Sequence, residues 1–159
     1  MPTHSYKIGL DYHGVVDKNP QYFEAFSAVA YERGHQIYII TGGPLSYVKE
    51  QLKIHNILYT EAFAILDYCQ QKQQGSYQPD GSFNVPTDVW NQVKAEYCRH
   101  KKIDIHIDDS LEYSKWFTTP YCTYNQLNHS CQTDNGICIN FATSALDAII
   151  EIEEYLSLL

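Results

Sequence analysis

The stretch IGLDYHGVV, residues 8–16, decides the fold class: a short apolar run ends at Asp11 and passes into a glycine turn, with His13 two residues beyond the acid. A carboxylate at the carboxyl end of a buried strand is costly unless a cation or hydrogen-bond donors compensate it, so Asp11 points to a site. Working outward, Tyr6 to Leu10 reads as a first strand. Pro20 then opens a helix on which Phe23, Phe26, Val29 and Ala30 recur at helical spacing until Gly34 stops it. Gln36 to Ile40 reads as a second buried strand running into Thr41-Gly42-Gly43-Pro44. Pro44 suits the first turn of a second helix, whose apolar stripe is Leu45, Val48 and Leu52. A β-α-β-α order opens an α/β fold.

Further along, residues 57–66 contain either a third strand or, from Glu61, the start of a helix running to Gln74; periodicity does not separate the two. Residues 67–86 read as a loop or small flap, since QQKQQG is followed by a turn at Pro79-Asp80-Gly81. An amphipathic helix is predicted from about Thr87 to His100, carrying Val89, Trp90, Val93 and Tyr97. The run IDIHIDD, residues 103–109, then repeats the opening pattern by delivering acid, Asp108-Asp109, at a strand end. A short helical stretch over Leu111 to Trp116, a last parallel strand over Pro120 to Tyr124, a small strand at Ile137 to Phe141 and a closing helix from Thr143 to Leu158 complete the order. Asp11, Thr41 and the Asp108-Asp109 pair each follow a predicted strand, and the carboxyl edge of a parallel sheet is where ligands bind.

Composition limits the function. The 159 residues suit one domain, with 44% hydrophobic and 19% charged residues, and no apolar run has the length of a membrane span. The start lacks the pattern of a secretory signal, so a cytoplasmic location is expected. A net charge of −8 without a lysine and arginine patch argues against binding a nucleic-acid backbone. Arg99, Lys101 and Lys102 suit the end of a helix instead. Five scattered cysteines do not form a complete disulfide framework; Cys131, Cys138 and His129 make a poor zinc set, and buried or loop thiols are the simpler reading.

This order and these residues resemble the haloacid dehalogenase superfamily, mostly phosphatases on a Rossmann-like core. The family's first motif, Asp-x-Asp-x-Thr/Val, is matched by Asp11-Tyr12-His13-Gly14-Val15, its second-strand Ser/Thr by Thr41, and its terminal acidic pair by Asp108-Asp109. The resemblance covers about Tyr6 to Tyr124. It implies a three-layer α/β/α sandwich around a mainly parallel sheet, with little or no cap, because Val16 to Pro20 leaves no room for an inserted domain. It also implies Mg²⁺ held by Asp11, the backbone carbonyl of His13, Asp108 and Asp109, with Asp11 as nucleophile. Thr41 would bind a phosphoryl oxygen, helped by the amides of Gly42 and Gly43; as a plain helix cap it would contribute about 1 kcal/mol. Of the lysines that could neutralise the phosphorylated intermediate, Lys94, Lys101 and Lys102, the helix face favours Lys94; otherwise it is a solvated surface lysine.

The departure is His13, which stands where the family's phosphatases carry the aspartate that acts as general acid and base. An imidazole titrating near 6.5 can do both jobs. The expectation is therefore a Mg²⁺-dependent phosphohydrolase with an aspartyl-phosphate intermediate. The alternative is a weak or inactive metal- and phosphate-binding module. A phosphorylated small molecule, a nucleotide or a phosphoprotein would be the substrate; Trp90 to Asp109 with Phe117-Thr118-Thr119-Pro120-Tyr121 also resembles uncharacterised bacterial and phage members near the nucleotidase branch.

Overall fold

Alternation of inward and outward residues builds the central sheet, and helices cover both faces of its centre. The computed structural model describes residues 4–159. In chain order the elements are β1 (Lys7–Leu10), α1 (Pro20–Glu32), β2 (Gln36–Thr41), α2 (Leu45–Ile54), β3 (Glu61–Ala64), α3 (Ile65–Gln71), β4 (Ser76–Tyr77), β5 (Phe83–Asn84), α4 (Thr87–Lys101), β6 (Ile105–Asp108), β7 (Tyr121–Asn125), β8 (Ser130–Thr133), β9 (Cys138–Asn140) and α5 (Ala145–Ser157). Strands β3-β2-β1-β6-β7-β8-β9 form one sheet in that order, parallel from β3 to β7 and antiparallel across β8 and β9. This α/β architecture is compatible with a Rossmann-like fold.

Ile8, Leu10, Ile37, Ile39, Ile105 and Ile107 point to one face, where α1, α2 and α5 cover them with Phe23, Phe26, Val48, Leu52, Ile149 and Ile152. Tyr38 and Ile40, the intervening residues of β2, pack on the opposite face against Tyr97, Cys98 and Ile103 around the end of α4. Ile65 and Cys69 of α3 meet Val93 of α4 beside them. Gly9 lies on this second face because a Cβ there would sit 2.8 Å from His106 Nδ1 and 2.9 Å from Ile40 Cδ1. The β1–β6 boundary is the sheet's switch point: from β1 the chain progresses outward to β2 and β3 on one side, and from β6 to β7 on the other. A crevice opens at the carboxyl ends of such a pair.

Several expectations need correction. The segment 67–86 is not loop throughout: α3 reaches Gln71, and β4 pairs with β5 as a separate two-stranded hairpin. The ambiguous stretch 57–66 resolves into strand β3 followed at once by α3. Residues 111–116 hold only a 3-10 turn at Ser114–Trp116. The parallel strand expected near Tyr124 exists as β7 and the small strand expected at Ile137 to Phe141 as β9, but an unexpected β8 lies between them in the sheet, and a disulfide joins Cys122 to Cys131. That bond removes Cys131 from any zinc set, while His129 Nδ1 is engaged with the Tyr124 hydroxyl at 2.8 Å. No described helix is long and apolar enough to cross a membrane.

Candidate active site

Register aligns the two acidic strand ends. Leu10 pairs with Ile107, and Asp11 N–H donates to the Ile107 carbonyl at 2.9 Å, so Asp11 leaves β1 beside Asp108 at the end of β6. Period-two alternation then sends both side chains toward α4. Lys94 of α4 meets them there, with Nζ 2.7 Å from Asp108 Oδ2 and 3.4 Å from Asp11 Oδ2, at 1% exposure. The Tyr113 ring covers the ammonium with its centroid 4.5 Å away, and Trp90 Nε1–H donates to the Tyr113 hydroxyl at 3.1 Å. Ligand oxygens of Asp11, Asp108 and Asp109 lie within 4.8 Å of one another, the one such convergence of possible metal ligands among the described residues.

The three carboxylates differ in their surroundings. Asp108 is the most engaged: Oδ2 accepts from Lys94 and from His106 Nε2 at 2.9 Å, and Oδ1 from Ser110 N–H at 3.1 Å, which leaves Oδ1 a free lone pair. Burial acts to raise its carboxyl, but Lys94 and His106 outweigh burial and hold it below the usual range. Burial likewise acts against the Lys94 charge, and Asp11 with Asp108 outweighs it, leaving the ammonium firmly protonated. Asp11, 5% exposed, goes the other way. Its burial, reinforced by Asp108 and Asp109, overcomes Lys94 and pushes its carboxyl well above the ordinary value. Asp109 is raised more mildly by burial and by Asp108.

His106, fully buried and stacked on Phe117 at 5.2 Å, is pushed down by burial despite Asp108. Nε2 donates to the Asp108 carboxylate, and Nδ1 has no hydrogen-bond partner among the described residues. Two other buried polar atoms, Asp11 Oδ1 and Thr41 Oγ1, also have no hydrogen-bond partner among the described residues. Buried acceptors without donors are uncommon, and here oxygen atoms left without partners border three converging carboxylates. The donor set is all oxygen, which suits a hard divalent cation. The carbonyls of Asp11 and Tyr12 accept from the following turn, whereas that of His13 takes no hydrogen bond from the described backbone.

His13, two residues past Asp11, has a side chain 46% exposed. Nδ1 faces Asp17 Oδ2 at 3.8 Å, and the ring lies parallel to that of Tyr47 with centroids 6.1 Å apart. Asp17 is fixed by its other oxygen, which accepts from Gly14 N–H at 2.7 Å. Gly14 itself adopts φ +91°, and a Cβ on it would collide with the Asp109 carboxylate. Asp109 also accepts from Gln126 Nε2 at 3.0 Å.

Around Thr41 the placement differs from expectation. Gly42 lies against Trp90, and Gly43, at φ +109°, approaches Ala64 and Asp67. Helix α2 begins only at Leu45, whose N–H donates to Asp67 Oδ1 at 2.8 Å. A carboxylate thus occupies the helix start, and an anion would meet the Thr41–Gly43 turn alone. Lys101 pairs with Glu61 at 3.2 Å and Lys102 forms the left-handed cap of α4, so both lie outside the crevice. Sequence reading did not pick out His106, Tyr113, Asp17 or Asp67 as site residues. His106 alone carried a signal, as the polar residue alternating in register with Asp108.

No family model matches this sequence, and no curated protein matches it. What defines its class is the α/β fold with three carboxylates gathered at the switch point of the sheet.

Proposed function

We propose that this protein is a Mg²⁺-dependent phosphoric monoester hydrolase of the haloacid dehalogenase type. The observation that carries the reading is the convergence of Asp11, Asp108, Asp109 and Lys94 at the switch point, with Asp11 Oδ1 left unpartnered. Mg²⁺ held by the three carboxylates and the His13 carbonyl would supply the positive charge that lets a carboxylate approach a phosphate anion. Asp11 attacks phosphorus while the bond to the leaving oxygen breaks. Lys94 neutralises the acyl phosphate, and Thr41 Oγ1 donates to a phosphoryl oxygen. His13, whose Nδ1 faces Asp17, gives the Nε2 proton to the leaving oxygen and then takes one from the attacking water. Hydrolysis returns Asp11 and inorganic phosphate.

The test is hydrolysis of p-nitrophenyl phosphate with and without Mg²⁺. Activity should need the metal, fall at least ~10³-fold in Asp11→Asn as expected for loss of a nucleophile, and shift its pH profile in His13→Asp. Absence of turnover across a broad panel of phosphomonoesters would sink the reading. One observation favours the alternative of a weak or inactive binding module: the exposed His13 ring rests on Tyr47. In that case calorimetry would detect Mg²⁺ or phosphate binding without turnover.

A further inference from the structure

We propose that the cleft beside Asp109, between the β7–β8 ribbon and Leu111, is the leaving-group subsite of this active site and takes the uncharged, hydroxyl-rich body of a sugar or alditol monophosphate. This rests on the phosphohydrolase reading above and deepens it. Cys122, Tyr124 and Cys131 turn into the core, so the alternate residues of β7 and β8, Thr123, Asn125, Ser130 and Gln132, face the other way. With Leu111 they line a cleft of about 610 Å³, within the range of small-molecule sites. It neighbours the acidic strand end, since Thr123 of its lining pairs in register with Asp108. Leu111 is two residues past Asp109, and Gln126, in the β7–β8 turn, donates to Asp109 Oδ2 at 3.0 Å.

The chemistry of the lining selects the ligand. Asn125 Oδ1 already accepts from Leu127 N–H at 2.8 Å, and Asn128 Oδ1 from the Ser130 amide and hydroxyl at 3.1 and 2.7 Å. Both amides are thereby oriented, with their NH₂ groups left as fixed donors. Fixed neutral donors and hydroxyls match ligand hydroxyl groups. No lysine or arginine lines the cleft and Asp134 stands in it, which disfavours a second anionic group. No aromatic ring lines it either, so it offers a nucleobase no stacking surface. Leu111, 70% exposed, supplies the apolar surface against which the C–H face of a sugar ring can lie.

Two measurements test this. In the first, ¹⁵N-labelled Asp11→Asn protein with Mg²⁺ is titrated with glucose 6-phosphate, sorbitol 6-phosphate, adenosine 5′-monophosphate and inorganic phosphate. The side-chain amides of Asn125, Asn128 and Gln132 should shift with the sugar and alditol phosphates and stay fixed with inorganic phosphate. Shifts seen only with the nucleotide, or none at millimolar ligand, overturn the proposal. In the second, Thr123→Val and Gln132→Leu should each lower kcat/KM for the sugar phosphate relative to p-nitrophenyl phosphate about tenfold, chiefly through KM, as loss of a hydrogen bond to the ground state does. An unchanged ratio overturns it. If no ester is hydrolysed while the amides still respond to sugar phosphates, the hydrolase reading and the leaving-group role fall together, and the cleft stands as a sugar-phosphate-binding site.

Discussion

Asp11 opposes the fold while it equips the crevice, and a single substitution separates the two effects. Its carboxyl is held well above the ordinary range by burial, with Asp108 and Asp109 adding to the effect. An acid whose folded-state value is raised costs stability above its unfolded value, so at pH 7 the metal-free protein carries that cost. Asp11→Asn should therefore raise the melting temperature of the metal-free protein, by about 2–4 °C for each kcal/mol recovered in a chain of this size. The same variant keeps one ligand oxygen and should gain less stabilisation from Mg²⁺ than the wild type, and differential scanning calorimetry with and without the metal reads both. Gly14 makes the complementary case. Its positive φ and the closeness of Asp109 leave no space for a methyl group. Gly14→Ala should destabilise by roughly 1–3 kcal/mol and weaken Mg²⁺ binding, measured by urea unfolding and calorimetry.

Among the elements, α1 and α5 show how the end of one helix is tied to the middle of another. Arg33, at the cap of α1, donates twice to Glu153 of α5 at 2.8 and 2.7 Å, and buried His35 meets the same carboxylate at 2.6 Å. Tyr6 N–H donates to His35 Nδ1 at 3.0 Å, so the cluster also anchors the start of β1. Burial acts to raise Glu153, but the hydrogen bonds from Arg33 and His35 outweigh it and lower the carboxyl from its ordinary 4.5. A depressed acid contributes stability that is full above its unfolded value and is lost as pH falls through the lower folded value. Glu153→Gln should cost about 1 kcal/mol at pH 7. The difference from wild type should shrink as pH falls below about 4.5 and through the lower folded value, as denaturant unfolding across the acid range will show. Reading by periodicity located α1, α2, α4 and α5 because each presents an apolar stripe. It could not resolve 57–66, where β3 passes into α3 without a turn residue. It also left β8 without a signal, since that strand is polar on its outward face.

At the scale of the whole molecule, any ion that binds the folded crevice stabilises the fold by mass action. Mg²⁺ at 100 times its dissociation constant should add about 2.7 kcal/mol, and EDTA should remove it. A melting temperature indifferent to both would mean that the carboxylates hold no such cation. The acids themselves were legible in the chain, because a strand that ends in Asp11 or in Asp108-Asp109 breaks the rule against buried charge. So was the periodicity that makes the fold α/β. Strand order was not legible: nothing local says that β6 lies beside β1, and only that adjacency makes the two acidic ends one crevice. Lys94 illustrates the division. Helical spacing could favour it over Lys101 and Lys102, but its 2.7 Å contact with Asp108 depends on how α4 packs across β1 and β6. Tyr113 and Asp67 belong wholly to tertiary structure, since packing chooses their partners Lys94 and Leu45, whereas His106 meets Asp108 through the alternation of a single strand. The sequence by itself determined which residues cannot be buried without compensation; the packed fold decided which groups compensate them, because it alone sets the distances over which charge and hydrogen bonds act.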